Sequence, residues 1–363
     1  MATALPPTAP AVAKDTVPLS AVPSTSSAVP TGMFSPVTNF YNKLQSWRQS
    51  LELPNPGTVE NLQKEVKSTL LNNFFFDGAR ADLTKGLSMN PQFSVTHSFA
   101  LGSQTMPPSY SFGAVYATES TLLQGNVDNE GSLSGRYHSN WNPANMTKVQ
   151  MQVSNTPGHS ILQAEHDYLG RDFCVNLRAA NPSPADFIGM YSGSIMQSVT
   201  KNVAIGVEAL LQRPQPGLSD RGLQYFAKYT SSNFSKEQGW IATATVQPQG
   251  MYEATYWQKM SEKLDVAAQL QIINVPQRRD AIATLGAKWD LRMATFRAQL
   301  DSSGKVSALL EQRFAPSFAF LFSGEIDHFK NSAKVGVGVM IESSSMTPEE
   351  MGMVPPPGYP YPQ

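Results

Sequence analysis

The sequence predicts an all-β transmembrane barrel of about nineteen strands, preceded by helical and unstructured segments. Three observations predict it. From about Phe75 to Ile341, apolar and polar residues alternate with a period of two. Turn residues cut this region into about nineteen runs of about 14 residues each, near the ~10-residue segments plus turns of membrane barrels. Charge is sparse: 15% of residues are Asp, Glu, Lys or Arg, against about 25% in an ordinary soluble domain. Mean hydropathy is nevertheless only -0.26. Uncharged polar residues make up the difference, which suits an apolar outside around a wet inside.

No run approaches the ~18 apolar residues of a spanning helix. A crossing therefore falls to a closed barrel, the one sheet that leaves no backbone group unpaired in lipid. The 27 basic and 28 acidic residues give a formal charge of -1, which argues against nucleic acid as a partner. A lone cysteine, Cys174, permits no internal disulfide. Residues 1 to 20 hold no basic n-region and no compact apolar core, so no secretory signal is read there.

In chain order, residues 1–36 are Pro, Ala, Ser, Thr and Val with almost no charge, and read as disordered. Phe40, Leu44, Trp47 and Leu51 follow at helical spacing, predicting a short amphipathic helix over 37–53. A second helix is predicted within 55–73. Asn55 or Thr58 caps it, and Pro56 suits its first turn. Val59, Leu62, Val66 and Leu70 form one narrow stripe, with Glu60, Lys64, Glu65 and Lys67 on other faces. A narrow stripe on a polar helix fits packing against a wall in a wet space, or equally a surface helix of a soluble domain. The barrel is placed at 75–342 and a Pro-rich tail at 343–363.

In the first strand, Ala79, Ala81 and Leu83 oppose Arg80, Asp82 and Thr84. In the fourteenth, Val266, Ala268 and Leu270 oppose Asp265, Gln269 and Gln271. Tyr110, Tyr116, Trp141, Tyr168, Tyr229, Trp240 and Trp289 fall near strand ends, like the aromatic girdles of a barrel at the lipid interface. The alternation turns ten carboxylates inward: Asp82, Asp128, Glu165, Asp167, Glu208, Glu253, Asp265, Glu311, Glu325 and Asp327. Nine bases join them: Arg80, Arg136, Lys148, Arg178, Lys228, Lys288, Arg297, Arg313 and Lys334. Ten against nine establishes no ion preference; that depends on how the charges cluster. A barrel this wide is not filled by its own side chains, so a channel or a plugged lumen follows.

Enzyme signatures are absent from the sequence. The five histidines lack metal-ligand spacing, and there is no P-loop, dinucleotide fingerprint or nucleophile elbow. His166 stands beside Glu165 and Asp167, but neighbouring strand residues point to opposite faces. No cofactor and no catalysis are expected.

Four segments carry a resemblance. They are Asn55-Pro-Gly-Thr-Val-Glu60, the run from Phe74 to Leu87, Asn90 to Phe99, and Ser323-Gly-Glu-Ile-Asp-His-Phe-Lys330. They resemble the family of pore subunits of the translocase of the outer mitochondrial membrane, over roughly residues 37 to 342. The Pro-rich head is similar in style to fungal members. The resemblance implies a nineteen-stranded barrel with parallel first and last strands and the helix of 58–71 inside the lumen. It implies unfolded precursor polypeptides as cargo. Implied partners are a receptor with one spanning helix, small single-helix subunits, a second pore subunit and membrane lipids. The last strand, with Lys334, Gly336, Val339 and Ile341, matches the β-signal that the sorting and assembly machinery reads in such barrels. The alternative from the residues is a metabolite channel like VDAC, which shares the nineteen-strand design.

Overall fold

The computed structural model describes residues 53–103, 107–156, 158, 160–183, 187–215, 217–231, 239–275, 278–315 and 317–344. The predicted head, the helix at 37–53 and nearly all of the tail lie outside these residues.

Alternation produces nineteen strands. They are β1 (Gly78–Met89), β2 (Gln92–Ala100), β3 (Ser109–Ala117), β4 (Thr121–Asp128), β5 (Leu133–Asn142), β6 (Asn145–Val153) and β7 (Ile161–Leu169). Next come β8 (Phe173–Ala180), β9 (Gly189–Ser198), β10 (Val203–Gln215), β11 (Leu218–Thr230), β12 (Trp240–Gln247) and β13 (Met251–Ser261). The last six are β14 (Leu264–Val275), β15 (Arg278–Asp290), β16 (Ala294–Asp301), β17 (Lys305–Ala315), β18 (Phe318–Asp327) and β19 (Ser332–Ser344). Each strand pairs with its sequence neighbours, and β1 pairs with β19, so the sheet closes. An odd count cannot close antiparallel throughout. The β1–β19 ladder is accordingly parallel, with Gly78 opposite Gly336 and Gly86 opposite Ser344.

Odd-numbered strands all run one way, so they end at one rim, called here the upper rim. The outer face is apolar: Leu83, Ile195, Leu285 and Phe322 are exposed there. Outward aromatics gather toward the upper rim, where Tyr229 stacks on Trp240 at 4.8 Å and Trp240 meets Tyr256 at 5.7 Å. Trp141 and Tyr168 stand at the same level, near the ends of β5 and β7. Phe99 and Tyr110, 4.9 Å apart, mark the lower rim. Rings at both rims above and below an apolar belt match a barrel seated between two lipid interfaces.

The α-helical hydrogen bonding is shorter than predicted. Among the described residues one helix, α1, covers Lys64–Thr69. Before it the chain makes three-residue turns, with Asn61 N bonded to Thr58 O, Leu62 N to Val59 O, and Lys64 N to Asn61 O. The spacing of the stripe explains this difference. Val59 and Leu62 are three apart, and an i→i+3 backbone keeps them on one side. Leu62, Val66 and Leu70 are four apart, and only there does the α-helical period serve. The predicted caps act otherwise. Asn55 Oδ1 accepts from Gly57 N at 2.8 Å in an Asx turn, and Thr58 Oγ1 accepts from Asn61 Nδ2 at 2.9 Å.

Candidate functional site in the barrel lumen

Residues 53–77 form a strap across the inside of the barrel. It begins at the upper rim. Asn55 Nδ2 donates to Gly170 O in the β7–β8 turn at 2.6 Å, and Ser198 Oγ at the end of β9 donates to Pro54 O at 2.7 Å. The strap ends at the lower rim, where Gly78 begins β1. Gly78 has φ +84°, a left-handed turn that suits glycine, and an added Cβ would meet Leu101 O at 3.0 Å.

The apolar stripe fixes the strap to the wall. Leu62 packs with Met196, Ala204 and Phe226, with Val59 against that cluster. Val66 and Leu70 pack with Ile241, Trp257 and Ala267. These clusters form the apolar core of the described residues. At roughly 1.5–3 kcal/mol per buried aliphatic side chain, the four-residue stripe outweighs the strap's polar contacts. Beyond α1, Leu71 N donates to Gln299 Oε1 at 2.7 Å, while Gln299 Nε2 donates to Asn72 Oδ1 at 2.9 Å. Phe74 lies under the Arg297 guanidinium, 4.2 Å from ring centroid to Cζ.

The luminal face is followed from these contacts, because directly opposed strand residues share a face. From Phe226 it runs to Thr245, then Glu253, then Gln271. In the other direction it passes Gly206, Met196 and Cys174. From Asp82 it passes Ser98, Ser111 and Asp128. This register places the ten carboxylates and nine bases of the sequence reading on the face that the strap touches. His166 is outward, with Nδ1 3.0 Å from Thr147 Oγ1, while Glu165 and Asp167 are inward and buried.

The charges are clustered. On β6 to β8, Lys148 Nζ lies 2.5 Å from Glu60, 2.9 Å from Asp167 and 3.8 Å from Glu165. Arg178 stands 3.5 Å from Glu165, and Asn176 Nδ2 donates to both Glu165 and Asp167. Burial pushes the Glu60 carboxyl up, but its hydrogen bond to Lys148 and the positive charges of Lys148, Arg178 and Arg136 outweigh this and hold it below the ordinary glutamate value. Elsewhere Arg80 pairs with Asp82 at 2.7 Å and Arg313 with Glu311 at 3.1 Å. Lys288 pairs with Asp290 at 2.5 Å rather than with Asp265, its cross-strand neighbour. Asp327 accepts from Phe329 N and Lys330 N and shapes the β18–β19 turn.

The wall over β10 to β14 differs. Glu253 accepts from Gln269 Nε2 at 2.6 Å and makes no ion pair among the described residues. Glu208 has no polar partner among the described residues. Both border a cavity of about 410 Å³ beside the strap, which Glu60, Lys67, Arg178 and the neutral amides Gln163, Asn176 and Gln224 also line. An extended segment entering here meets two carboxylates outside any ion pair among the described residues, and few apolar side chains.

Small residues mark the track of the strap, and the sequence reading missed them as inward. Ala204 and Ala267 lie under the stripe, and a Cβ on Gly286 would stand 2.5 Å from Leu70 Cδ2. Lys259, Asp290 and Asp301 are further inward charges that it omitted. Alternation alone locates them once the face is assigned.

Comparison with known proteins adds the following. Residues 55–336 match the family Eukaryotic porin. The mitochondrial import receptor subunit TOM40 of Saccharomyces cerevisiae is 39% identical over 336 residues, covering 85% of this chain and 85% of that protein. Its Neurospora crassa counterpart is 37% identical over 332 residues, covering 88% and 92%. The TOM40 homolog of Homo sapiens is 30% identical over 300 residues, covering 80% and 79%.

Proposed function

Because the chain belongs to the eukaryotic porin family, in the branch of the mitochondrial import receptor subunit TOM40, we propose that its lumen conducts unfolded precursor polypeptides across the mitochondrial outer membrane. The function is transport and makes or breaks no bond. The observation that carries it is the wall beside the strap. There Glu208 and Glu253 make no ion pair among the described residues, and neutral amides line the same cavity alongside Lys67 and Arg178. Such a wall attracts basic presequences weakly, and it offers an unfolded chain few apolar surfaces on which to stick. The ten carboxylates and nine bases on this face are read as pore-lining, with β6 to β8 spending theirs on one another.

As an import receptor subunit the chain works within a complex. A receptor with one spanning helix, small single-helix subunits, a second copy of the pore and lipid are the partners proposed for its apolar outer face. Lys334, Gly336, Val339 and Ile341 of β19 are proposed as the signal through which the sorting and assembly machinery recognises the closing strand. An extended strand with a free edge is a ready template for such pairing.

A planar bilayer carrying the purified channel tests the transport reading. A basic presequence peptide is expected to block the current in a voltage-dependent way, and an uncharged peptide of the same length to block far less. Equal indifference to both peptides would favour a VDAC-like metabolite pore.

A further inference from the structure

Phe76, two residues before β1, lies against β19. Its carbonyl accepts a hydrogen bond from Ser323 Oγ of β18. A Cβ on Gly336 would stand well inside 3.0 Å of both that carbonyl oxygen and Ser323 Oγ, a separation that real Cβ atoms essentially never show. A Cβ on Gly338 would meet Phe76 Cζ at 3.0 Å and Leu321 Cβ at 3.2 Å. The two glycines form a notch, and Phe76 fills it.

The notch lies at the seam of the barrel. Gly336 pairs with Gly78 and Gly338 with Arg80 across the β1–β19 ladder. Parallel pairing is slightly weaker per residue than antiparallel pairing, and no turn joins these two strands. The first and last strands meet here through their ladder. Phe76 adds a strut on the luminal side. It belongs to the chain leading into β1, rests on β19, and is bonded to β18.

We propose that Phe76 is a seam lock, which ties the leading end of β1 to β18 across the Gly336–Gly338 notch and keeps the parallel junction closed. The lock holds whatever the pore carries. It is also distinct from a signal in β19: a signal is read before the strands meet, whereas the notch is filled once they have met. Gly336 then serves two steps.

The test uses the full chain refolded in detergent with no assembly machinery present, compared with Phe76→Ala, Gly336→Ala and the double variant. Hydrogen exchange is read strand by strand. In Phe76→Ala, exchange at 78–86 and 336–344 is expected to rise about tenfold through easier local opening, with β13 and β14 unchanged. Gly336→Ala is expected to do the same, and the double variant to be no worse than the worse single one, because both break one contact. Unchanged exchange at the seam in Phe76→Ala overturns the proposal. So does an equal rise in every strand, or effects that add in the double variant. If Gly336→Ala does not refold, Phe76→Ala decides alone, since it lies outside β19.

Discussion

The ammonium of Lys148 lies 2.5 Å from the carboxylate of Glu60, and this ion pair fastens the strap to the wall of β6. The same ammonium neutralises Asp167 and Glu165, both buried. The two ends of the contact are therefore unequal. Glu60 keeps a side chain 44% exposed, so Glu60→Gln is expected to cost at most about 1 kcal/mol of barrel stability. Lys148→Met leaves the buried Asp167 without a cation and Glu165 with Arg178 alone, and is expected to cost about 3 kcal/mol. Denaturant unfolding of the refolded barrel checks both. Equal costs would mean that the strap, and not the wall, is what Lys148 supports.

Acid is expected to loosen the strap. A carboxyl held below its ordinary value of 4.5 stabilises the folded form fully above that value. Its contribution is lost as pH falls from there through the lowered value, because the unfolded chain binds the proton first. A single cysteine at Gln63, in a chain with Cys174 replaced by Ser, is expected to react with a pore-permeant reagent faster as pH drops through this window. Rates are compared at each pH with the same cysteine in a Glu60→Gln background. That background is expected to flatten the change.

Removing the two carboxylates that lie outside any ion pair among the described residues is expected to weaken attraction for basic segments. Glu208→Gln with Glu253→Gln is expected to lower the on-rate of a basic presequence peptide several-fold at low salt, a difference that shrinks as salt screens the field. Peptide block of single channels measures it. Lys148→Met is the contrast, since it removes a luminal cation and keeps every carboxylate, so the on-rate is not expected to fall.

Filling the notch under Leu70 is expected to displace the strap without touching a charge. Gly286→Val is expected to cost about 1–3 kcal/mol as an overpacked contact. It is also expected to raise cysteine reactivity at Lys67. Unaltered reactivity would mean that Leu70 is not seated on Gly286.

The closing strand is expected to matter most before the pore exists. Ile341→Asp faces the outer side and is expected to slow membrane assembly in isolated mitochondria, while assembled copies keep their conductance. Normal assembly kinetics would count against Lys334, Gly336, Val339 and Ile341 as a signal.

Much of this was legible in the sequence because a strand declares its two faces residue by residue. Val266, Ala268 and Leu270 against Asp265, Gln269 and Gln271 can only be one strand with a wet and a dry side, and the register puts them so. Turns such as Asn129-Glu130-Gly131 set the strand count. Two things were not legible. The α-helical span was overread, because the stripe's first step of three suits a tighter turn as well as a helix. Gly336 was read only as part of the closing-strand signal, and the close packing at 286, 336 and 338 was missed because a small residue says nothing about its neighbour; only the strap's path reveals why no side chain is tolerated there. Glu60 likewise read as an ordinary solvated residue, since its partner Lys148 is eighty-eight positions away.

The strap changes an odd number into an even one. Nineteen strands alone would leave the ends of the barrel on opposite sides of the bilayer. The strap adds one more crossing, inside the lumen, from its anchor at Gly170 and Ser198 to the start of β1. Residue 53 and residue 344 therefore face the same compartment. That compartment holds the end of the chain segment that is packed along the inside of the pore.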